Sequence, residues 1–274
     1  MRTQPLFLIG LLCAILTATG CIRAPVTDRL QVSVIPEKIM LPLGKNTYQD
    51  MLSGARLVTK GEDVATLRRV GKRIARVTGE PGYGWRFSLV DERDTVNAWC
   101  LPGGKIAFYT GILPVLRNEA GMAFVMGHEV GHATAHHGAE RMSQQLAVLG
   151  GLGALYLYMD RKSELTDQQK NLMMGALGVG AQVGFVLPFS RKHEKEADII
   201  GLMYMSRAGY PPEESVAVWE RMQEQSGGGR LPAFLSTHPS HEQRRANLRE
   251  WMAQAHKRHA RNPLSEDTQR ALWR

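Results

Sequence analysis

Apolar and polar residues repeat with two different periods in the first half of the chain, and the period identifies each element. From 62 to 77, apolar side chains recur every three or four residues, which predicts an amphipathic helix. The stripe consists of Val64, Leu67, Val70, Ile74 and Val77. From 85 to 90 the period is two, which predicts a strand, and a turn at 102–104 leads into a second strand at 105–110. This half therefore predicts a helix beside a small sheet.

The second half of the chain carries the pattern of helices. An apolar run at 120–130 follows Asn118, and asparagine is favoured at helix N-caps. Apolar stretches at 146–158 and 172–187 flank a charged loop, and each is shorter than the ~20 residues of a membrane span. They therefore predict a helical hairpin outside the bilayer, with contact with the membrane surface as an open alternative.

Two more helices are predicted at 211–225 and 240–259, and three consecutive glycines between them break the pattern. Because strands occupy only a short part of the chain, the predicted fold class is α+β and mainly α-helical. The patterned region at 62–260 is expected to be one domain. The tail at 261–274 has no clear pattern and is expected to be disordered.

The first 21 residues have the parts of a bacterial export signal. Arg2 supplies a positive charge, 6–16 is apolar, and small residues precede Cys21. This order predicts a lipoprotein signal peptide at 1–20 and a lipidated Cys21, followed by a tether of irregular structure at 21–61. The alternative is an uncleaved anchor, for which the apolar run is short. Because the next residue is not aspartate, the likeness to known lipoproteins favours the periplasmic side of the outer membrane.

Composition limits the partners of the protein. With 274 residues, 43% of them hydrophobic, the chain can bury a full core. Its formal charge of +8 is compatible with a nucleic-acid partner. Export to the periplasm argues against nucleic acid, so the basic charge is expected to favour an anionic membrane surface or solubility. After export and lipidation, Cys100 is expected to be the one thiol left, which leaves no intramolecular disulfide.

The candidate chemistry lies at 127–132, which contains H-E-x-x-H. His128 and His132 are four residues apart and share one helix face, where two imidazoles can bind one ion. A catalytic zinc site has three protein ligands and a water molecule. Glu129 stands in the position of the general base. The alternative is two histidines on a solvated helix, but the small residues around the motif indicate close packing instead.

A third ligand must come from another part of the chain. His136 lies on the same face one turn further along, beyond the reach of a tetrahedral ion, and Ala135 and Gly138 exclude the metzincin pattern. Downstream, Glu194 and Asp198 are again four residues apart on one predicted helix face. One carboxylate can bind the metal while the other accepts a hydrogen bond from a ligand histidine.

Four motifs in this order resemble those of the HtpX and CAAX-prenyl-protease family of gluzincin metallopeptidases. They are N-A-x-x-x-P-G-G at 97–104, H-E-x-x-H at 128–132, E-x-x-A-D at 194–198, and S-T-H-P at 236–239 followed by Arg244 and Leu248. The resemblance covers 97–248. It implies a zincin-like metallopeptidase domain with a small β-sheet beside the zinc helix.

The resemblance also implies a role for each matching residue. His128, His132 and Glu194 would bind one zinc ion per chain. Glu129 would be the general base, and Asp198 would accept the second N–H of a ligand histidine.

His238 and Arg244 are further candidates, because either side chain could help to hold the oxyanion. The resemblance also places His238 over the metal. A fourth protein ligand would displace the catalytic water until a glycine-rich loop moved it away. His238 is therefore predicted to be an inhibitory switch.

These features predict a zinc-dependent endopeptidase of the bacterial cell envelope. Periplasmic lipoprotein members of the resembled family imply degradation of misfolded outer-membrane or periplasmic proteins, with outer-membrane assembly machinery as a candidate partner. An extended substrate would add to the edge of the small sheet, with loose side-chain specificity. The alternative is a chaperone-like assembly factor with little proteolysis. A purely structural zinc site is disfavoured, because such a site needs no base.

Overall fold

Helices dominate the described part of the chain, in which the strands form two small sheets. The computed structural model describes residues 21–162, 165–182, 186–226, 233–238 and 242–261. The strands are β1 Cys21–Arg23, β2 Leu30–Val32, β3 Arg86–Val90, β4 Ala98–Leu101 and β5 Lys105–Tyr109. The helices are α1 Glu37–Leu52, α2 Glu62–Thr78, α3 Leu113–Leu116, α4 Glu119–Thr134, α5 His137–Lys162, α6 Asp167–Ala181, α7 Leu187–Arg207, α8 Glu214–Ser226, α9 Ala233–Thr237 and α10 Glu242–His259. The mainly helical α+β class is thus confirmed.

A three-stranded sheet lies beside the central helix. Its order is β3-β5-β4, with β3 parallel and β4 antiparallel to β5. The strands predicted at 85–90 and 105–110 are confirmed as β3 and β5. β4 was not predicted, because four residues are too few for a clear alternating pattern. It is an edge strand, and it ends at a turn in which Gly103 and Gly104 have φ angles of 79° and 73°.

The helix that carries H-E-x-x-H, α4, is central to the domain. As predicted, Asn118 caps it, and its side-chain oxygen accepts a hydrogen bond from the amide of Gly121 at 2.8 Å. Every residue of α4 except His132 is buried. At Gly127, an added Cβ would lie 2.8 Å from the carbonyl oxygen of Gly201 in α7. The close packing expected around the motif is therefore confirmed as a backbone-to-backbone contact between two helices.

The amphipathic helix predicted at 62–77 is confirmed as α2. Its buried stripe residues are Val64, Leu67, Val70 and Ile74. Gly71 lets the ring of Phe87 in β3 lie directly against this helix, since a Cβ there would be 2.3 Å from the ring. α2 ends at Gly79, whose φ of 81° suits a residue without a side chain. The core therefore forms where α2, the sheet and α4 meet.

The segment before α2 is folded, so the prediction of irregular structure at 21–61 is wrong. β1 and β2 pair as a short antiparallel hairpin, and α1 follows them. Arg29, next to β2, forms ion pairs with Glu140 of α5 at 2.8 Å and with Glu196 of α7 at 2.7 Å. These contacts attach the segment to two helices that lie more than a hundred residues away in sequence.

α1 is regular despite containing residues that disfavour helices. Pro42 lies inside it, and Gly44 follows two residues later. Gly44 packs on Pro102, at the end of β4, so closely that an added Cβ would lie 2.3 Å from the carbonyl oxygen. Tertiary contact therefore stabilises α1, which explains why the local pattern did not predict it.

α5 and α6 form the helical hairpin that the two apolar stretches predicted. α5 begins earlier than expected, at His137, and Ser143 accepts a hydrogen bond from the amide of Val34 in the N-terminal segment. Apolar side chains on the hairpin remain exposed, among them Leu149 by 65% and Leu172 by 76%. Among the described residues, no helix is long and apolar enough to cross a membrane.

The C-terminal helices predicted at 211–225 and 240–259 are confirmed as α8 and α10, with later starts. α10 packs against α7, and its Leu248 is fully buried in the main core. The signal peptide predicted at 1–20, the glycine break at 227–229 and nearly all of the predicted tail lie outside the described residues.

Candidate metal centre

The two histidines of H-E-x-x-H point to one place, as their spacing predicted. His128 and His132 lie one turn apart on α4, and their Nε2 atoms are 3.2 Å apart. His128 is buried, whereas the side chain of His132 is 14% exposed. The site is therefore reached from the side of His132.

Glu194 of α7 brings a carboxylate to the same place. Its Oε2 lies 3.5 Å from Nε2 of His128, and its Oε1 lies 3.4 Å from Nε2 of His132. His238, which follows α9, adds a fourth donor, and its Nδ1 is 3.2 Å from His128 Nε2 and 3.0 Å from Glu194 Oε2. One ligand atom from each of the four residues lies within 4.8 Å of all the others.

The separations between these donor atoms fit a tetrahedral ion. Bonds of about 2.0–2.1 Å from zinc to imidazole nitrogen place neighbouring tetrahedral donors ~3.3 Å apart. The closest contacts among the four side chains range from 3.0 Å to 3.5 Å. Imidazole and carboxylate are both ligands that zinc accepts. The cluster could therefore hold a metal ion.

The helix face that His136 was expected to share with His128 ends before His136. α4 ends at Thr134, and His136 adopts a φ of 48° where the chain passes into α5. A positive φ is rare for a residue other than glycine, so the helix does not continue through this position. The change of direction agrees with the expectation that His136 is not a ligand.

Asp198 and Arg244 hold His128 in its orientation. Nδ1 of His128 donates a hydrogen bond to Asp198 at 3.0 Å, and Arg244 donates to both oxygens of Asp198 at 2.6 Å and 2.7 Å. Arg244 also lies 3.2 Å from Glu194, and its guanidinium carbon is 3.8 Å from the centre of the Trp219 ring. Burial opposes ionisation of Asp198, but the Arg244 charge and the His128 hydrogen bond lower its pKa. Arg244 is buried among these groups, and its role as an oxyanion donor stays a prediction.

Glu129 lies beside the cluster and is 3% exposed. Its Oε1 is 3.4 Å from Nε2 of His238 and accepts no hydrogen bond from the described residues. Burial is the main cause that raises the pKa of Glu129. A carboxylate with a raised pKa and an unbonded oxygen is suited to accept a proton.

The two histidines of the motif differ in pKa. Burial lowers the pKa of His132 well below its usual value. Burial acts on His128 in the same direction, but its hydrogen bonds with Asp198 and Glu194 outweigh it and raise the pKa to about 9. Because a metal binds only neutral imidazole, metal binding at neutral pH would release a proton from His128.

A group of buried polar residues behind His132 was not identified from the sequence. Nδ1 of His132 lies 3.0 Å from Nδ1 of His137, and Nε2 of His137 lies 2.9 Å from Glu196. Arg29 donates to the same oxygen of Glu196, Oε2, at 2.8 Å. Burial opposes ionisation of Glu196, but hydrogen bonds from His137 and Arg29 lower its pKa to about 2. Glu196 is therefore ionised at neutral pH.

These contacts decide which nitrogen of His132 carries the proton. An ionised Glu196 can only accept, so Nε2 of His137 donates to it. Burial lowers the pKa of His137 to about 4, so this ring is neutral and its Nδ1 is an acceptor. Nδ1 of His132 must then donate to His137, which leaves the lone pair of Nε2 directed at the cluster. Glu196 thus acts on His132 through His137, as Asp198 acts directly on His128.

The sequence contains only a weak signal for this second group. Glu196 is two residues from both Glu194 and Asp198, which places it on the opposite side of the same helix. That side of a charged helix is normally solvated. It is buried here because the N-terminal segment folds over it and supplies Arg29.

The central H-E-x-x-H helix, the carboxylate from a second helix and the small sheet beside them define a zincin-like metallopeptidase domain. The chain belongs to peptidase family M48, whose family model matches residues 62–252. Members of this family are metal-dependent peptidases. The resemblance found in the four sequence motifs is thereby confirmed.

Curated relatives of this chain are named as metalloendopeptidases or proteases. The mitochondrial metalloendopeptidase OMA1 of Schizosaccharomyces pombe is 33% identical over 235 residues, which are 84% of this chain and 66% of the relative. The protein of that name from Saccharomyces cerevisiae is 32% identical over 267 residues, 89% of this chain and 72% of the relative. The beta-barrel assembly-enhancing protease of Escherichia coli is 28% identical over 215 residues, 76% of this chain and 43% of the relative. The chain thus matches most of each yeast relative but less than half of the bacterial one.

Removal of Glu194 or Glu196 should weaken metal binding to different degrees. Glu194→Ala deletes a donor atom, so most of the bound metal should be lost. Glu196→Ala leaves every donor atom in place but removes the support of His132, and loss of such an outer contact lowers metal affinity about 10–100-fold. Glu250→Ala, at an exposed carboxylate of α10, is the control and should bind like wild type. Competition with a chromophoric chelator measures all three affinities.

Two outcomes of that titration would contradict the assignment. Wild-type affinity in Glu194→Ala would exclude Glu194 as a ligand. Equal affinities of Glu196→Ala and Glu250→Ala would show that the contact through His137 does not support His132.

Proposed function

We propose that this protein is a zinc-dependent endopeptidase that cuts unfolded polypeptides. The observation that carries the proposal is the position of Glu129, buried with an unbonded oxygen beside four converging donor atoms. A structural zinc site would have no use for a base at this position. Membership of a metal-dependent peptidase family supports the same reaction.

The residues around the cluster have different roles in the proposed peptide hydrolysis. His128, His132 and Glu194 would hold one zinc ion, which when bound supplies polarisation of the scissile carbonyl and activation of a water molecule. Glu129 accepts the proton of the attacking water and returns it to the leaving amine. Its raised pKa makes it a stronger base than an exposed carboxylate.

The edge strand β4 is the proposed docking site for the substrate. β4 packs beside α4, so an extended peptide paired with its open edge passes close to the cluster. Such pairing uses backbone groups, which every unfolded chain offers. Unfolded or misfolded polypeptides are therefore the proposed substrates.

A chaperone-like assembly factor with little proteolysis is the second candidate. The exposed apolar side chains on α5 and α6 favour it, because such a surface can bind unfolded clients without cutting them. The two candidate functions differ in their need for Glu129. Cleavage of a client protein requires this residue, whereas binding of a client protein does not.

The peptidase proposal predicts that casein is cleaved only when both a metal and Glu129 are present. o-Phenanthroline should abolish cleavage, and added zinc should restore it. Glu129→Gln keeps the shape of the side chain but removes the base, so the rate should fall about 10²–10⁴-fold while bound metal is retained. Glu250→Ala is the control. Release of fluorescent fragments from labelled casein measures the rate.

Cleavage that continues in Glu129→Gln or in the presence of the chelator would contradict the peptidase proposal. Wild-type protein that binds casein without cutting it would favour the chaperone-like candidate.

His238 lies where it can block the site. Its Nδ1 is one of the four donor atoms, and its Nε2 is 3.4 Å from Glu129. The ring stacks on Phe234 with 4.6 Å between ring centres, and the His238 amide donates to the Phe234 carbonyl at 2.8 Å. A fourth protein ligand takes the position that the catalytic water needs. This arrangement supports an inhibitory switch that substrate displaces, rather than an oxyanion donor.

Removal of His238 should leave proteolysis unchanged or raise it. His238→Ala vacates the fourth position and leaves Glu129 accessible, so the rate on casein should equal or exceed that of wild type. Ser236→Ala, at an exposed residue of the same short helix, is the matched control and should behave like wild type. A fall of about a hundredfold or more is the effect of losing an oxyanion donor, and it would make His238 a transition-state stabiliser instead.

The bacterial cell envelope is the proposed location. The signal-like sequence at 1–20 supports it, and so does a bacterial relative named as a beta-barrel assembly-enhancing protease. That name also supports misfolded outer-membrane proteins as substrates and the outer-membrane assembly machinery as a partner. The yeast relatives are named mitochondrial, so their names support the reaction rather than the location.

A lipid on Cys21 is the proposed membrane anchor. Cys21 begins β1 and pairs with Val32, so the lipid would be attached directly to the folded domain instead of through a tether. Cys21→Ser should abolish labelling by a radioactive fatty acid and release the protein into the soluble fraction. Cys100→Ser is the control and should stay labelled and membrane-bound. If Cys21→Ser remains on membranes after a salt wash, the hairpin of α5 and α6 is the anchor.

A further inference from the structure

A pocket lies beside the metal cluster, between α1, the end of β4 and the junction of α4 and α5. Its volume is about 240 Å³. His132 forms part of its wall, so the pocket lies next to the cluster. The reaction described above makes no use of this space.

The lining of the pocket is mainly apolar. Met40 and Leu43 of α1 line it, together with Leu101 of β4 and Met142 of α5. Cys100 lies in the same wall, and burial raises the pKa of its thiol well above the usual value, so it stays uncharged. An apolar lining of this kind favours an apolar occupant.

The wall formed by α1 is held in place by a backbone contact. Gly44 lies against the carbonyl oxygen of Pro102, and an added Cβ would be 2.3 Å from it. α1 is thus pressed on the turn that follows β4. The pocket is therefore a built part of the domain and not a gap beneath a loose segment.

The edge strand leads from the pocket to the cluster. Cys100 and Leu101 are the last residues of β4, and both line the pocket. In an extended peptide paired with this edge, alternate side chains point in the same direction. One side chain close to the cleaved bond then faces the pocket while the backbone passes His132.

We propose that this pocket binds a large apolar side chain of the peptide substrate, such as leucine, methionine or phenylalanine, at one fixed position near the cleaved bond. The proposal rests on the proposed peptidase function. An apolar cavity of about 150 Å³ is large enough for benzene, so the volume here admits an aromatic or long aliphatic side chain. Backbone pairing alone gives loose specificity. Filling the pocket adds a preference over alanine of at least about tenfold in kcat/KM.

Two substitutions change the size of the pocket in opposite directions. A Cβ on Gly138 would be 3.7 Å from the end of Met40, an ordinary contact, so Gly138→Leu should occupy the space meant for the substrate. Met40→Ala should enlarge the same space. Gly150→Leu is the matched control, because it makes the same change on α5 where nothing lies within 4 Å of the added Cβ.

The first measurement is cleavage of two peptides that differ only in having leucine or alanine at this position, which is located beforehand by mass spectrometry of casein fragments. Wild type and Gly150→Leu should prefer the leucine peptide by at least about tenfold in kcat/KM. Gly138→Leu should bring this ratio close to one, and Met40→Ala should shift the preference to phenylalanine or tryptophan. A ratio near one in wild type, or an unchanged ratio in Gly138→Leu, would overturn the proposal.

The second measurement separates this proposal from the peptidase proposal. A labelled alanine peptide is compared with labelled peptides that carry one leucine at each position in turn, the tightest of which is taken as the leucine peptide. Their binding to Glu129→Gln is followed by fluorescence anisotropy, so no cleavage site has to be known. The leucine peptide should bind about tenfold more tightly than the alanine peptide, and adding Gly138→Leu should remove the difference. If wild type cuts no peptide but this difference holds, the peptidase proposal fails and the pocket stands. Equal binding of the two peptides overturns the pocket even where cleavage is observed.

Discussion

The contact between α4 and α7 at Gly127 and Gly201 is the constraint on which the site depends. A Cβ on Gly201 would lie 2.6 Å from the amide nitrogen of His128, so the two backbones meet with no side chain between them. This approach brings Glu194 within 3.5 Å of both motif histidines and Asp198 within 3.0 Å of His128. Because two packed helices set these distances, the donor atoms are held by rigid elements.

Buried charges around this crossing are paired on both sides of α7. On the side of α7 that faces α4, Asp198 forms an ion pair with Arg244. On the opposite side of α7, Glu196 forms an ion pair with Arg29. A buried charge that loses its partner costs about 3–5 kcal/mol, so each carboxylate depends on the element that supplies its cation. The orientation of His132 therefore depends on the N-terminal segment, through Arg29, Glu196 and His137, although that segment is remote in sequence.

The N-terminal segment thus belongs to the same folded domain as the cluster. The matched family region begins at residue 62, whereas Arg29 and α1 lie before it. Arg29 supports a histidine of the cluster, and α1 forms a wall of the pocket beside it. If Cys21 carries a lipid, the short path from Cys21 to Arg29 would hold the cluster close to the membrane surface, where misfolded membrane proteins would be found.

The sequence by itself determined the features that depend on the geometry of one element. A spacing of four residues on a helix is enough to put His128 and His132 on one face and Glu194 and Asp198 on another. The stripe of α2 and the Asn118 cap follow from local pattern in the same way. The resemblance of four motifs added the choice of Glu194 as ligand, which spacing alone left open between two carboxylates.

The tertiary structure decided every relation between elements. Pro42 and Gly44 disfavour a helix locally, yet α1 forms because it packs on Pro102. Glu196 reads as a solvated residue on the far side of its helix, yet the N-terminal segment buries it against His137. β4 is too short to show an alternating pattern of apolar and polar residues, and it is a strand because it pairs with β5. Periodicity fixes the direction of a side chain within its own helix or strand, but the distance to a partner depends on how the whole chain packs.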